Sequence, residues 1–162
     1  MIRSVKKTAQ IELVNEFSSG VFKIGFYPGL NPEFIMPLLD NPKLDGIIIE
    51  TLGIGNVPTG ESWSLISFIA GATERNIPVM LASQFPVQTS MLDTYEPAQA
   101  PLEAGAFTSG DMSPPAAVTK FMWVLPQIAE RIANGSVKEE SKLEQVQIWM
   151  KTNLIGELVE QN

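Results

Sequence analysis

The stretch Asp45–Trp63, DGIIIETLGIGNVPTGESW, decides how the rest of the chain is read. Ile47, Ile48 and Ile49 are three consecutive branched apolar residues. So short a run reads as a strand buried on both faces. A loop carrying Gly53, Gly55, Asn56, Pro58 and Gly60 follows, and then apolar residues at helical spacing. Strand, glycine-bearing loop and helix form half of a βαβ unit. In open α/β sheets ligands collect at the carboxyl ends of strands, where such a loop sits.

Further units lie on either side. Val21–Tyr27 reads as a strand ending at the turn dipeptide Pro28-Gly29. Asn31 then caps a helix with Pro32 at its first position, and Phe34, Ile35, Leu38 and Leu39 lie on one side. Pro37 shortens or bends that helix. Leu44–Glu50 is the second strand. The next helix spans about Glu61 to Arg75, with Trp63, Ile66, Ile69 and Ala70 as its buried stripe. Pro78–Ser83 is a third strand, Pro97–Ala104 a short helix stopped by Gly105, and Ala106–Thr108 a fourth strand. Ser113 caps a helix that begins at Pro114 and runs to about Ala133. Its apolar face is Val118, Phe121, Met122, Leu125, Ile128 and Ile132, and Pro126 is expected to kink it. A last helix covers about Lys138 to Lys151, followed by a tail in which Leu154, Ile155 and Leu158 are able to dock. Apolar strands alternating with helices predict an α/β, three-layer α/β/α fold with a parallel sheet of about four strands. Residues 1–20 read as an N-terminal arm or linker remnant, and residues 21–162 as the domain.

Composition excludes several chemistries. The 162 residues carry a net charge of −7, which repels phosphate backbones and anionic membranes, so no nucleic acid or membrane partner is expected. There is no cysteine and no histidine. Disulfides, thiolate metal sites, His-ligated zinc and triads built on histidine are therefore impossible within the chain, and acid–base work would fall to Asp, Glu, Lys or Tyr. No metal site or cofactor is implied. No run of about 18 apolar residues reads as a membrane span.

Three constellations invite chemistry. Gly53-Ile54-Gly55-Asn56 has part of a dinucleotide fingerprint, but Pro58 stands where the third glycine belongs. Glu50 and Asp111 both emerge at the carboxyl edge, where a carboxylate pair could move protons. The plainer reading has Asp111 tying a turn at a helix start, where the dipole favours an acid. Thr119 and Lys120 are a Ser/Thr–Lys pair by type, but neighbours on a helix point about a third of a turn apart. Lys120 as an ion-paired residue with a buried stem fits better. Trp63, Trp123 and Trp149 read as core or subunit contacts.

Taken in order, FYPGLNPEFI, DGIIIETLGIGNVP, NIPVMLASQ, Tyr95, EAGAFTSGDMSPPAAVTKFMWVL and MKTNLIGEL resemble the C-terminal domain of type I (cytoplasmic) L-asparaginases over Phe22 to Leu158. The corresponding domain of the glutamyl-tRNA amidotransferase subunit is a near neighbour. The resemblance implies an accessory, intersubunit domain of an enzyme that hydrolyses L-asparagine to L-aspartate and ammonia. The family's TGGT-type and TDT-type motifs, with their two threonines, aspartate and lysine, do not occur in these residues. The chain is therefore not expected to be catalytic alone. By resemblance Asn56, with Gly53 and Gly55, lies nearest a ligand, and Glu50 and Gln84 fall where some members bind a regulatory asparagine. Tyr95, Asp111 and Lys120 are structural near the strand ends. Phe85 replaces the family's cysteine and is bulkier, which works against that regulation, and Ala133–Gln145 is longer than the family pattern. The resemblance implies a cytoplasmic protein. It also implies self-association or a separate catalytic domain as partner, and L-asparagine or L-aspartate as ligand. A stand-alone binding or interaction module of the same fold is the alternative.

Overall fold

The computed structural model describes residues 13–52, 57, 60, 63–83 and 96–158, without the side chains of 96–98. Gly53, Gly55, Asn56, Gln84, Phe85 and Tyr95 lie outside them, as do residues 1–12 and 159–162.

Four strands, β1 (Val21–Gly25), β2 (Gly46–Thr51), β3 (Val79–Ser83) and β4 (Phe107–Thr108), form one sheet in the order β1-β2-β3-β4. Every pairing is parallel, with Ile24 opposite Ile49, Ile49 opposite Leu81 and Leu81 opposite Thr108. Ile47, Ile48 and Ile49 are all fully buried, which is why the run carries no polar alternation. Each strand steps the same way across the sheet, so right-handed crossovers put the connections between strands on one face. There Phe68, Ile69 and Ala72 of α1 (Ile66–Glu74) pack with Leu39 on Ile24, Ile47, Ile49, Val79 and Leu81. Leu102 of α2 (Glu96–Glu103) joins them. The opposite face is covered by α3 (Pro114–Ala133) and α4 (Lys142–Lys151). Phe121, Val124, Ile128, Val146 and Met150 from these helices meet Ile48, Met80 and Phe107. The expected three-layer α/β/α arrangement on a four-stranded parallel sheet is present.

β1 stops at Gly25 rather than Tyr27. Phe26 still donates to the Glu50 carbonyl at 3.0 Å, and a turn follows in which Leu30 N–H donates to Tyr27 C=O at 3.1 Å. Pro28 and Gly29 occupy its centre, and the φ of +100° at Gly29 is the left-handed geometry a type II turn demands. At Gly46 the need is space instead: an added Cβ would lie 2.7 Å from the Phe121 ring, so glycine lets α3 approach the start of β2.

The expected helix after Asn31 is two 3-10 pieces, Pro32–Phe34 and Met36–Asp40. Asn31 does cap the first, accepting from Glu33 N–H at 2.9 Å. Pro37 has no N–H to donate back to residue 33, so the α-helical ladder is interrupted there. The next helix also begins later than expected. The Ser64 hydroxyl accepts from Ile66 N–H at 3.3 Å, and α1 starts there. Trp63 therefore precedes the helix and is half-exposed, and the buried stripe is Leu65, Phe68, Ile69 and Ala72 rather than one built on Trp63 and Ile66.

α3 begins where expected, on Ser113, and continues through Pro126. Proline deprives the carbonyl four residues earlier of its helical donor. That carbonyl is Met122 C=O, and Ser18 N–H donates to it at 2.8 Å. Trp123 Nε1 also donates to Val14 C=O at 3.2 Å, so residues 13–20 lie along α3 before entering β1. The carbonyl that Pro126 frees in the helix is thus an attachment point for the arm.

α4 follows a 3-10 turn at Glu139–Ser141 and buries Val146 and Met150. Ile148 stays exposed, and Trp149 packs beside Trp123 with ring centroids 5.8 Å apart while the Arg131 guanidinium lies 4.7 Å from the Trp149 centroid. Of the tail residues expected to dock, Leu158 packs on the core but Leu154 and Ile155 face solvent. No helix among the described residues is long and apolar enough to cross a membrane.

Candidate functional site at the carboxyl edge of the sheet

At the carboxyl edge β2 ends in Glu50 and Thr51, β3 in Ser83, and β4 runs into Ser109. Thr51, Ser83 and Ser109 are buried hydroxyl residues where the strands above them are hydrocarbon. Thr51 Oγ1 donates to Ala82 C=O at 3.2 Å. Ser109 N–H completes the ladder to Leu81 C=O at 2.8 Å, while its hydroxyl is buried without a hydrogen-bond partner among the described residues.

Glu50 is held on its β1 side. Lys23 Nζ lies 3.2 Å from Glu50 Oε2, and Gly25 of the same strand borders that carboxylate oxygen. Asp111 stands beyond β4, on the other side of β3 from Glu50. Two inter-strand spacings place their strands roughly 10 Å apart. The strands thus do not bring Glu50 and Asp111 into the direct contact that a shared-proton pair needs.

The start of α3 is no anion cradle. Pro114 and Pro115 have no N–H, Ala116 N–H donates to the Ser113 hydroxyl at 3.4 Å, and Ala117 N–H donates to Ser113 C=O at 2.9 Å. The donors that would bind phosphate at a helix N-terminus are missing or used.

Thr119 and Lys120 are not brought together. Thr119 Oγ1 donates to Pro115 C=O at 2.9 Å, within the helix. Lys120 is buried and its ammonium uses all three protons: Met150 C=O at 2.9 Å, Thr152 C=O at 2.5 Å and Glu157 Oε1 at 2.6 Å. This is the buried-stem ion pair the sequence suggested for Lys120. Its partner Glu157 was missed. A glutamate three residues beyond an exposed leucine gives no periodic signal, and only the fold returns the tail to α3.

Glu157 in turn organises the tail. It accepts from Leu154 N–H at 3.1 Å and Ile155 N–H at 2.7 Å, while Asn153 accepts from Gly156 N–H at 2.8 Å and donates to Leu158 C=O at 2.8 Å. Burial pushes the Glu157 carboxyl up, but the Lys120 ammonium and the N–H groups of Ile155, Leu154 and Glu157 outweigh it and hold its pKa down at about 2. Leu158 closes the loop onto the turn after β4: a Cβ on Gly110 would lie 3.0 Å from its Cδ2. The clasp thus borders the carboxyl edge.

Fold and edge together define a parallel-sheet α/β domain of the kind whose strand-end loops carry its function. The chain belongs to the Glutaminase/Asparaginase C-terminal domain family, whose model matches residues 20–134. It is 30% identical over 154 residues to a glutamyl-tRNA(Gln) amidotransferase subunit of Saccharolobus solfataricus, covering 95% of this chain and 31% of that one. Against the corresponding amidotransferase subunit of Methanosphaera stadtmanae it is 32% identical over 149 residues, covering 92% and 30%. Among solved structures it is similar to the thermostable L-asparaginase of Thermococcus kodakarensis, with a TM-score of 0.72, 28% identity and coverage of 99% of this chain and 45% of that one. L-asparaginase I of Vibrio cholerae gives a TM-score of 0.75, 25% identity and coverage of 94% and 42%. The chain spans about a third of these curated relatives and less than half of these solved ones.

Proposed function

We propose that this chain is the accessory domain of an asparaginase-type amidohydrolase, not catalytic alone, which works with a catalytic part carrying the nucleophile set. The observation that carries the reading is the family match over residues 20–134, in a chain that has neither the TGGT-type nor the TDT-type motif. The reaction of the whole enzyme is hydrolysis of L-asparagine to L-aspartate and ammonia, with a threonine of the catalytic part attacking the side-chain amide carbon. The domain's share is to present the loop after β2, with Asn56 nearest the ligand and Gly53 and Gly55 shaping the turn. Glu50 and Gln84 are assigned to the same substrate-adjacent or regulatory set. Exposed apolar side chains at this end support a docking role: Tyr27, Trp63 and above all Phe34, which is 82% exposed. A cytoplasmic setting suits a chain without cysteine.

A second reading is favoured by the amidotransferase relatives: the same accessory role in a subunit that releases ammonia for glutamyl-tRNA amidation. The net charge of −7 keeps this domain itself away from tRNA.

The test is direct. The purified chain is incubated with L-asparagine and with L-glutamine and ammonia is measured; none is expected, and release at a catalytic rate refutes the accessory role. Calorimetry with L-asparagine and L-aspartate then asks whether the edge binds ligand unaided. Binding abolished by Asn56→Ala supports the loop as the site, whereas binding unaffected by that change places the ligand elsewhere.

A further inference from the structure

Asn134 and Gly135 end α3, and they are the only Asn-Gly pair in the chain. Asn31 and Asn41 precede prolines, which have no N–H, and the other internal asparagines precede Glu, Val, Ile or Leu, whose side chains crowd the following nitrogen. Glycine has no side chain to do so. Asn134, Gly135 and Ser136 are all exposed. The match to the family ends at residue 134, at this boundary.

An asparagine side chain and the next backbone nitrogen are the right distance apart along the chain to close a five-membered ring. The Gly135 nitrogen gives its proton to solvent base and attacks Asn134 Cγ. The Cγ–Nδ2 bond breaks, and the side-chain nitrogen takes up a proton and leaves as ammonia. Water then opens the succinimide. Opening at Cγ leaves aspartate, and opening at the main-chain carbonyl leaves isoaspartate. The structure readies the electrophile and withholds the nucleophile. Ser136 N–H donates to Asn134 Oδ1 at 3.0 Å, the oxygen on which charge develops during attack. Gly135 N–H, however, donates to Ile132 C=O at 3.0 Å, and Asn134 N–H to Glu130 C=O at 2.9 Å. The φ of +76° at Gly135 completes this helix stop. The ψ of 2° at Asn134 eclipses its own nitrogen with that of Gly135. Its Cβ is another substituent on the same carbon, so it cannot also eclipse the Gly135 nitrogen, as ring closure requires. We propose that Asn134 is a site of spontaneous deamidation gated by the end of α3: the closed cap holds it unreactive, and it converts when the cap opens. The product carries a carboxylate at the negative end of the helix dipole, one turn from Glu130, and isoaspartate also lengthens the main chain by one carbon. Modification therefore loosens the junction between α3 and α4. The site lies apart from the strand-end loops, so it stands or falls independently of the proposed activity.

Timed incubation in mildly alkaline buffer tests this. The folded chain and the same chain unfolded in guanidinium chloride are sampled and digested with trypsin, and the peptide Ile132–Lys138, IANGSVK, is followed by mass spectrometry. Loss of ammonia gives the succinimide, and then aspartate and isoaspartate peptides that elute separately. In the unfolded chain Asn134 is expected to convert before any other asparagine, and Gly135→Ala to slow it. In the folded chain conversion is expected to be slower by about tenfold or more, because the cap's hydrogen bonds must open first. Denaturant too dilute to unfold the chain should speed conversion in step with amide exchange at Gly135. Another asparagine converting first in the unfolded chain overturns the site. A folded chain that converts as fast as the unfolded one, or conversion that does not follow exchange at Gly135, overturns the gate. Asn134→Asp is expected to accelerate exchange at Gly135, and unchanged exchange overturns the loosening.

Discussion

Replacing Glu157 with glutamine removes a charge while keeping the side chain's length and most of its shape. In the wild type, the side chains of Lys120 and Glu157 are only 6% and 9% exposed and their atoms stand 2.6 Å apart. The change leaves the Lys120 ammonium without a counter-charge, with Met150 C=O, Thr152 C=O and a neutral amide oxygen as its acceptors. Removing one partner of a buried pair typically costs about 3–5 kcal/mol. The carbonyls solvate part of the charge and the tail can lift to admit water, so a loss of about 2–4 kcal/mol is expected. Lys120→Met alone is expected to cost less, because Glu157 can swing into solvent with the tail. Adding Lys120→Met to Glu157→Gln should recover much of the loss, since an apolar pair of similar volume is often as stable as the ions. The pH dependence has a definite sign. Folding lowers the Glu157 pKa from 4.5 to about 2, so its contribution is fully present above 4.5 and is lost as pH falls towards 2. Urea melts near neutral pH and at about pH 3 should show wild type and Glu157→Gln converging in acid. A Glu157→Gln chain within about 0.5 kcal/mol of wild type at neutral pH would refute the reasoning, since surface pairs behave that way and buried ones do not.

Two further outcomes follow from single groups. Pro126→Ala supplies an N–H that competes with Ser18 for Met122 C=O; amide exchange at Ser18 should accelerate while the melting temperature holds or rises, and unchanged exchange would show that the arm is held elsewhere. Ser109→Ala removes a buried hydroxyl without a partner among the described residues, so stability should be unchanged or higher by up to about 1 kcal/mol; a clear loss would mean that the hydroxyl is satisfied after all.

The parallel sheet was legible because it depends on short-range signals that tertiary context reinforces. Ile47–Ile49 is apolar on both faces, and no other common architecture buries a strand so completely. Helix starts were legible where a capping oxygen precedes proline, as at Ser113-Pro114. They failed where proline falls one turn in. Asn31 caps as expected, yet Pro37 leaves only 3-10 turns. Trp63 was placed in a stripe because its spacing to Ile66 suits a helix, but the Ser64 hydroxyl takes Ile66 N–H and α1 starts only at Ile66, past it. The candidate site divides the same way. Lys120 was legible as a paired lysine because a charge in an apolar stripe needs a counter-charge. Glu157 was not, since the contact joins residues 37 apart through a loop with no repeat to read.

Pro126 and Glu157 share a principle that bears on how the domain serves a larger enzyme. Each is a local defect in regular structure, a helix carbonyl without its donor and a carboxylate buried after the last helix. Each is satisfied by a chain end folding back: Ser18 reaches Met122, and the Leu154–Glu157 loop reaches Lys120. Both attachments converge on α3, the helix that also packs on β2 and β3. The segments just inside the two ends of the domain are therefore tied to one rigid element whose first turn borders the carboxyl edge. A neighbouring domain or subunit joined through either segment would feel displacement of α3 directly.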